Sequence, residues 1–241
     1  MGSLLEEVKK VIKGAKADFA KVMSPLALLH FILNGFFNEY QKWFGHKTWI
    51  WNFMYWACDY RKKMLDPSQQ ARYLRIKELL EQHCPKKAAV LDVGCGTANG
   101  LSIWREAGLG SFEGIDIAAA AIEEARETYG GKPDLPARFE AVSMQAYDSG
   151  GRTFDAVIFN ESLYYVSSEQ DAVEMAKKAL TLLKEGGHLI ISMSETHHAE
   201  KIWAALDFLP PPKSRGRAEA VEGNTWQVAA FEKKEVQPAG Q

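Results

Sequence analysis

The chain has 241 residues, 46% hydrophobic and 25% charged, with a formal net charge of −2. This composition describes a soluble globular protein with room for one good core and an added subdomain. A balance so near neutrality gives no electrostatic reason for a nucleic-acid surface, and none is expected.

Cys58, Cys84 and Cys95 are odd in number and contain no CxxC pair, so neither a disulfide framework nor a zinc site is expected. A reducing, cytoplasmic setting suits them. No secretory signal precedes Glu6 and Glu7. The most apolar run, VMSPLALLHFILNGFF over residues 22–37, is too short to span a bilayer and holds Pro25, His30 and Asn34. It reads as a buried or lid helix, with no membrane span.

Before residue 86 every periodic stretch is helical. Leu4, Leu5, Val8, Val11, Ile12 and Ala15 share one face of a first helix. Ser24-Pro25 offers a cap and a helix-compatible proline for a second. The aromatic stretch WFGHKTWIWNFMYWACDY occupies residues 43–60, and Asp66-Pro67 opens another helix, PSQQARYLRIKELLEQH, ending before Pro85. After residue 86 short apolar runs alternate with helical patterns. Strands are expected at 88–93, 114–117, 139–142, 156–159 and 189–192, with helices at 101–108, 118–130, 168–184 and 200–209 between or after them. That alternation is the sequence form of βαβ units around a parallel sheet. Residues 217–222 and 225–232, on either side of Gly223-Asn224, read as a closing antiparallel hairpin. Two regions follow: a helical extension or lid over 1–85 and an α/β core over 86–241.

The stretch VLDVGCGTANG at 90–100 is a strand running into a glycine turn. Glycines let the backbone approach a ligand, and the following helix supplies free amides. A dinucleotide fingerprint would have a third glycine where Asn99 stands. Asp92, two residues before Gly94, suits a cation far better than a pyrophosphate. S-adenosylmethionine (SAM) carries a sulfonium and an ammonium and no phosphate, so the charge pattern favours it over a nicotinamide dinucleotide. Asp116 ends the second strand about 20 residues on, where a carboxylate can accept both ribose hydroxyls of either cofactor.

Taken in order, VLDVGCGTANG, GIDIA, FDAVIFNESLYYV and LKEGGHLIISMSET resemble the class I SAM-dependent methyltransferases of small-molecule type, over roughly residues 70–232. The resemblance implies a seven-stranded Rossmann-like sheet, mostly parallel with an antiparallel last strand, flanked by helices. It implies that Gly94 and Gly96 touch the methionine part of SAM, that Asp116 with Ile117 meets the ribose, and that Ser143, Met144 and Gln145 lie beside adenine. Many members carry an acid near Ser143, and this chain has none. Asn160 and Glu161 follow the fourth strand, where the family places SAM-facing and substrate-facing groups.

Methyl transfer is an in-line displacement, and it needs a base only where the acceptor is protonated. Glu161, His197 and His198 are the candidate bases. Trp56, Tyr60, Tyr164 and Tyr165 are candidates to line the acceptor pocket. No acid cluster is left over for a metal. The expected activity is transfer of a methyl group from SAM to an O or N nucleophile of a small molecule. The alternative is a SAM-binding enzyme that does not methylate, such as a cyclase or pericyclase. FNES in place of a (D/N)PP(Y/F/W) motif argues against methylation of base or glutamine amino groups. Oligomeric state is left open.

Overall fold

A computed structural model describes residues 47–57, 64–221 and 223–234. The expected helices before residue 43 lie outside the described residues, as does Tyr60, and the Trp56 side chain is likewise outside the description. The described elements are α1 (Thr48–Ala57), α2 (Gln70–His83), β1 (Ala88–Val93), α3 (Leu101–Trp104), β2 (Leu109–Asp116), α4 (Ala119–Tyr129), β3 (Ala137–Ala141), β4 (Phe154–Asn160), α5 (Glu169–Leu182), β5 (Leu183–Ser194), α6 (His197–Ala205), β6 (Ser214–Glu219) and β7 (Thr225–Glu232).

The strands form one seven-stranded sheet in the order β3-β2-β1-β4-β5-β7-β6. Neighbours are parallel from β3 through β5, and β7 runs antiparallel to both β5 and β6. This is the doubly wound arrangement with a reversed strand that the sequence suggests. The order reverses direction at β1 and β4, and in such sheets the crevice beyond the carboxyl ends of these two strands is where ligands settle.

Central strands read as continuous apolar runs because both faces are covered. Leu91, Val93, Val157, Phe159, Leu189 and Ile191 face one way, against Ala172, Ala176 and Ala179 of α5 and Ile202 of α6. Val90, Ala156, Ile158 and Ile190 face the other, against Ile76, Leu79 and Leu80 of α2, Trp104 of α3 and Ile122 of α4. Among the described residues, α2 (Gln70–His83), which lies before residue 86, packs on this face of the sheet. Local chemistry sets the helix starts. The Ser168 hydroxyl accepts from the Asp171 N–H, and the Thr196 hydroxyl accepts from the Ala199 N–H.

Boundaries differ from expectation where polar residues hide a strand. β2 starts at Leu109 because Glu113, buried in mid-strand, is satisfied by the Tyr147 hydroxyl at 2.8 Å and by Arg152 at 3.0 and 3.1 Å. β6 spans Ser214–Glu219, not 217–222. Ser214 pairs with Ala230, and as an edge strand it exposes its charges and shows little apolar alternation. α6 starts at His197, immediately after its Thr196 cap.

Trp104 fixes the layer beside the glycine turn. Its ring is fully buried, and its indole N–H donates to the Tyr73 carbonyl of α2 at 3.0 Å. A Cβ on Gly100 would sit 2.6 Å from that ring, so the turn leaves room for it by lacking one. Trp104→Ala is expected to cost about 3–5 kcal/mol. A urea titration following far-ultraviolet dichroism checks this, with the midpoint falling sharply at unchanged native signal.

Candidate active site

A cavity of about 410 Å³ opens at the carboxyl ends of β1, β2 and β4. The turn after β1 forms its floor. Gly94 and Gly96 have φ of +77° and +55°, a region where a Cβ is strained. Space forbids a side chain as well. A Cβ on Gly94 would lie 2.4 Å from the Ser162 Cβ, and one on Gly96 would lie 2.2 Å from the Tyr55 hydroxyl. The Gly96 N–H donates to Asp116 Oδ2 and the Ala118 N–H to Asp116 Oδ1, both at 2.8 Å. One carboxylate thus ties the glycine turn to the end of β2 and the start of α4.

Glu161 stands just past β4 with φ of +62°, a costly conformation for a residue with a long side chain. Its N–H donates to the Ser192 carbonyl at 2.9 Å, which holds the backbone there. The Tyr164 hydroxyl donates to Glu161 Oε2 at 2.7 Å. Burial raises the Glu161 carboxyl above the ordinary range, opposed by the Arg72 charge and by the Tyr164 hydrogen bond. Asp92, 2% exposed, is pushed up to about 8 by burial first and by the Asp116 charge second, with Arg72 opposing. Asp116 is also raised by burial, opposed by its backbone donors.

Buried polar atoms on cavity-lining residues with no hydrogen-bond partner among the described residues include Asp92 Oδ1, Thr97 Oγ1, Asn160 Oδ1 and Glu161 Oε1. Buried polar atoms are almost always paired. Three of these four can only accept when the acids are ionised, so the cavity is built for a ligand that brings donors or positive charge.

Of the residues singled out in the sequence, Asp92, Gly94, Gly96, Asp116, Ile117, Ser143, Met144, Gln145, Asn160, Glu161 and Tyr165 all line this cavity. Three do not. Tyr164 stands behind Glu161 and supports it, bonded also to Ser194 Oγ at 3.4 Å. The exposed His197 faces Glu200 at 3.3 Å, and the exposed His198 bonds the Tyr164 carbonyl at 2.9 Å. Their place on the first turn of α6 turns them away from the cavity.

Sequence reasoning missed Arg72 and Tyr73. Arg72 is 2% exposed, lines the cavity and donates to the Tyr73 hydroxyl at 3.0 Å and to Met64 Sδ at 3.3 Å. Its guanidinium lies over the rings of Tyr73 and Trp226, at 4.7 and 5.8 Å. The signal was present: Arg72 falls on the same stripe of α2 as Ile76, Leu79 and Leu80, where a cation is out of place without a polar neighbour.

The α1 helix covers one side. Ile50, Trp51 and Met54 pack on Ala118 and Ala121, and Asn52 Oδ1 accepts from the Ala120 N–H at 3.1 Å. The Trp51 and Tyr165 rings meet edge to face at 4.8 Å. Among the described residues no group of three or more His, Cys, Asp or Glu is arranged to hold a metal ion, and no helix is long and apolar enough to cross a membrane.

Residues 90–187 match the family model described as a methyltransferase domain. This stretch matches a methyltransferase domain, in a sheet with the fold of solved SAM-dependent methyltransferases. The domain's fold is shared with the N-methyltransferase NodS from Bradyrhizobium japonicum WM9, solved with S-adenosyl-L-homocysteine. The TM-score is 0.62 at 17% identity, covering 72% of this chain and 91% of that one. The chain is 29% identical over 134 residues to mRNA cap guanine-N(7) methyltransferase 1 of Arabidopsis thaliana, which is 49% of this chain and 36% of the relative. It is 31% identical over 121 residues to carboxy-S-adenosyl-L-methionine synthase of Campylobacter curvus, 48% of this chain and 49% of the relative. It therefore spans half or less of the length of these two relatives.

The raised acids make the stability of the ligand-free protein sensitive to pH. Asp92 keeps its proton when folded until about pH 8 but loses it near 3.8 when unfolded. A raised acid stabilises the fold below the unfolded value, and that contribution is lost as pH rises towards the folded value. Without ligand, Asp92→Asn is expected to melt several degrees above the parent at pH 8 and close to it at pH 4. Differential scanning calorimetry at the two pH values checks this.

Proposed function

We propose that the chain transfers a methyl group from SAM to an O or N nucleophile of a small molecule by in-line displacement. The observation that carries this reading is the set of unpartnered acceptor atoms around a glycine turn, at the switch point of a methyltransferase fold. SAM suits that set. Its ammonium and ribose hydroxyls bring donors, and its sulfonium brings positive charge. When bound, it supplies an activated methyl group.

In this reading Asp116 and Ile117 hold the ribose. Each Asp116 oxygen already accepts one backbone N–H and retains a lone pair for a hydroxyl. Asp92 and the amides at Gly94 and Gly96 hold the methionine end, and Asn160 Oδ1 accepts from the same end. Ser143, Met144 and Gln145 flank the adenine. Glu161 Oε1 takes the acceptor's proton where there is one to take. Its carboxyl, raised by burial, is better matched to neutral pH than an exposed glutamate. Trp51, Tyr55 and Tyr165 wall off water, which sharpens every electrostatic contact inside. Among the described residues of the 1–85 extension, α1 serves as the cover over this site. His197 and His198, outside the cavity, take no part in proton transfer.

The likeness to carboxy-S-adenosyl-L-methionine synthase supports a second reading, a SAM-binding enzyme that does not methylate. The likeness to a cap methyltransferase makes the acceptor's size worth testing directly. Incubating the protein with methyl-labelled SAM and a whole-cell extract separates the readings. The expected result is label in the low-molecular-mass fraction. Label in precipitated RNA or protein contradicts a small acceptor. Consumption of SAM with no labelled product supports the second reading. Asp116→Ala is expected to weaken SAM binding by about 2–4 kcal/mol, since the ribose loses a charged acceptor and the turn its tie. Isothermal titration of the variant checks this.

A further inference from the structure

We infer that the methyl acceptor is a basic amine, bound as its ammonium and held by Glu161. The inference rests on the methyltransferase reading above and narrows it. The described lining residues include four carboxylates, Asp92, Asp116, Glu161 and Asp171, against one guanidinium, Arg72. Asp171 sits in the first turn of α5, where the helix N-terminus favours negative charge. Three carboxylates and one guanidinium remain, a surplus of two negative charges once bound SAM has drawn the proton from Asp92, which burial holds up to about 8.

SAM carries a net charge of plus one and leaves one negative charge over. A neutral hydroxyl acceptor leaves it uncompensated, and an anionic acceptor makes it worse. An ammonium cancels it. Leaving charge unpaired in such a place is costly, so the site selects the acceptor that removes the surplus. The position of the surplus agrees. Asp92 adjoins the glycine turn and Asp116 is engaged by two amides, whereas Glu161 offers a buried oxygen with no partner. Tyr164 binds the other oxygen of Glu161, Arg72 and Trp226 also act on this carboxyl, and Glu161 lines the cavity. Beside it stand Trp51, Tyr55 and Tyr165, whose ring faces attract cations.

The chemistry balances. Glu161 Oε1 takes one proton from the ammonium and frees the nitrogen lone pair. That pair forms the bond to the methyl carbon as the carbon–sulfur bond breaks, and the breaking pair stays on sulfur. The products are the methylated amine, S-adenosylhomocysteine and one proton, which leaves Glu161 when the site reopens.

Three probes of one shape and three charges test this: phenethylamine, 2-phenylethanol and phenylacetate. Each is titrated at pH 7.5 into the full chain saturated with S-adenosylhomocysteine. Phenethylamine is expected to bind at least tenfold tighter than 2-phenylethanol, with phenylacetate weakest. In Glu161→Gln the tenfold preference should shrink to about threefold or less, while S-adenosylhomocysteine affinity and melting temperature stay near those of the parent. Equal binding of the three, no binding by any, or a preference for the alcohol or acid overturns the inference. So does a preference for the amine that survives in Glu161→Gln. In all of these cases S-adenosylhomocysteine still binds and the methyltransferase reading stands. Failure of S-adenosylhomocysteine itself to bind overturns that reading, and this inference with it.

Discussion

Three carboxylates gathered at the carboxyl ends of interior strands of a parallel sheet are the constraint from which the rest of this structure follows. Each is held for a different reason. Asp92 is the last but one residue of a central strand and has the whole sheet around it. Asp116 ends the neighbouring strand and ties down the turn and the next helix through two backbone amides. Glu161 leaves β4 in a left-handed conformation, and its carboxyl lines the cavity. Burial raises all three, and one arginine offsets only part of the charge. Such an arrangement is poorly stable alone and becomes favourable when a cation arrives.

The sheet supplies the stiffness this needs. Alternate residues of β1, β4 and β5 lock into helices on opposite faces, so the carboxyl ends of those strands cannot drift apart without opening both layers. Trp104 and the Tyr73 carbonyl join the glycine turn to α2, the helix that carries Arg72. The cation that moderates the acids is thus held by the same packing that holds the acids. On the open side, α1 closes the cavity through Trp51 and Tyr55 and is anchored by Asn52 at the start of α4.

Much of this was legible in the sequence because the signals were local. VLDVGCG, GIDI and FNES each place a carboxylate at a fixed distance from a strand end. The strand pattern therefore fixed where Asp92, Asp116 and Glu161 would meet. The parallel sheet with its reversed strand was legible for the same reason, as apolar runs spaced by helices. What escaped depended on tertiary contact. Glu113 looked like a break in β2, and only Tyr147 and Arg152, both more than thirty residues later, make it tolerable there. Arg72 was not singled out, because its polar neighbours, the Tyr73 hydroxyl apart, come from distant segments of the chain. His197 and His198 had the right distance from β5 but the wrong direction, because Thr196 caps a helix that carries them outward. Tyr164 and Tyr165 are adjacent, yet only Tyr165 reaches the cavity.

The central claim is that the site is an acid pocket completed by a cationic cofactor. Proton release on binding measures it most directly. At pH 7 Asp92, raised to about 8, is largely protonated in the empty protein, and a sulfonium beside it, with Asp116 and Arg72 as its charged neighbours, favours the ionised form. Isothermal titration of SAM at pH 7, in two buffers of different ionisation enthalpy, should show close to one proton released per SAM bound. Affinity should fall by about tenfold or more from pH 8 to pH 6. Asp92→Asn should lose most of both effects. Binding with no proton exchange, or binding that tightens as pH falls, contradicts the account.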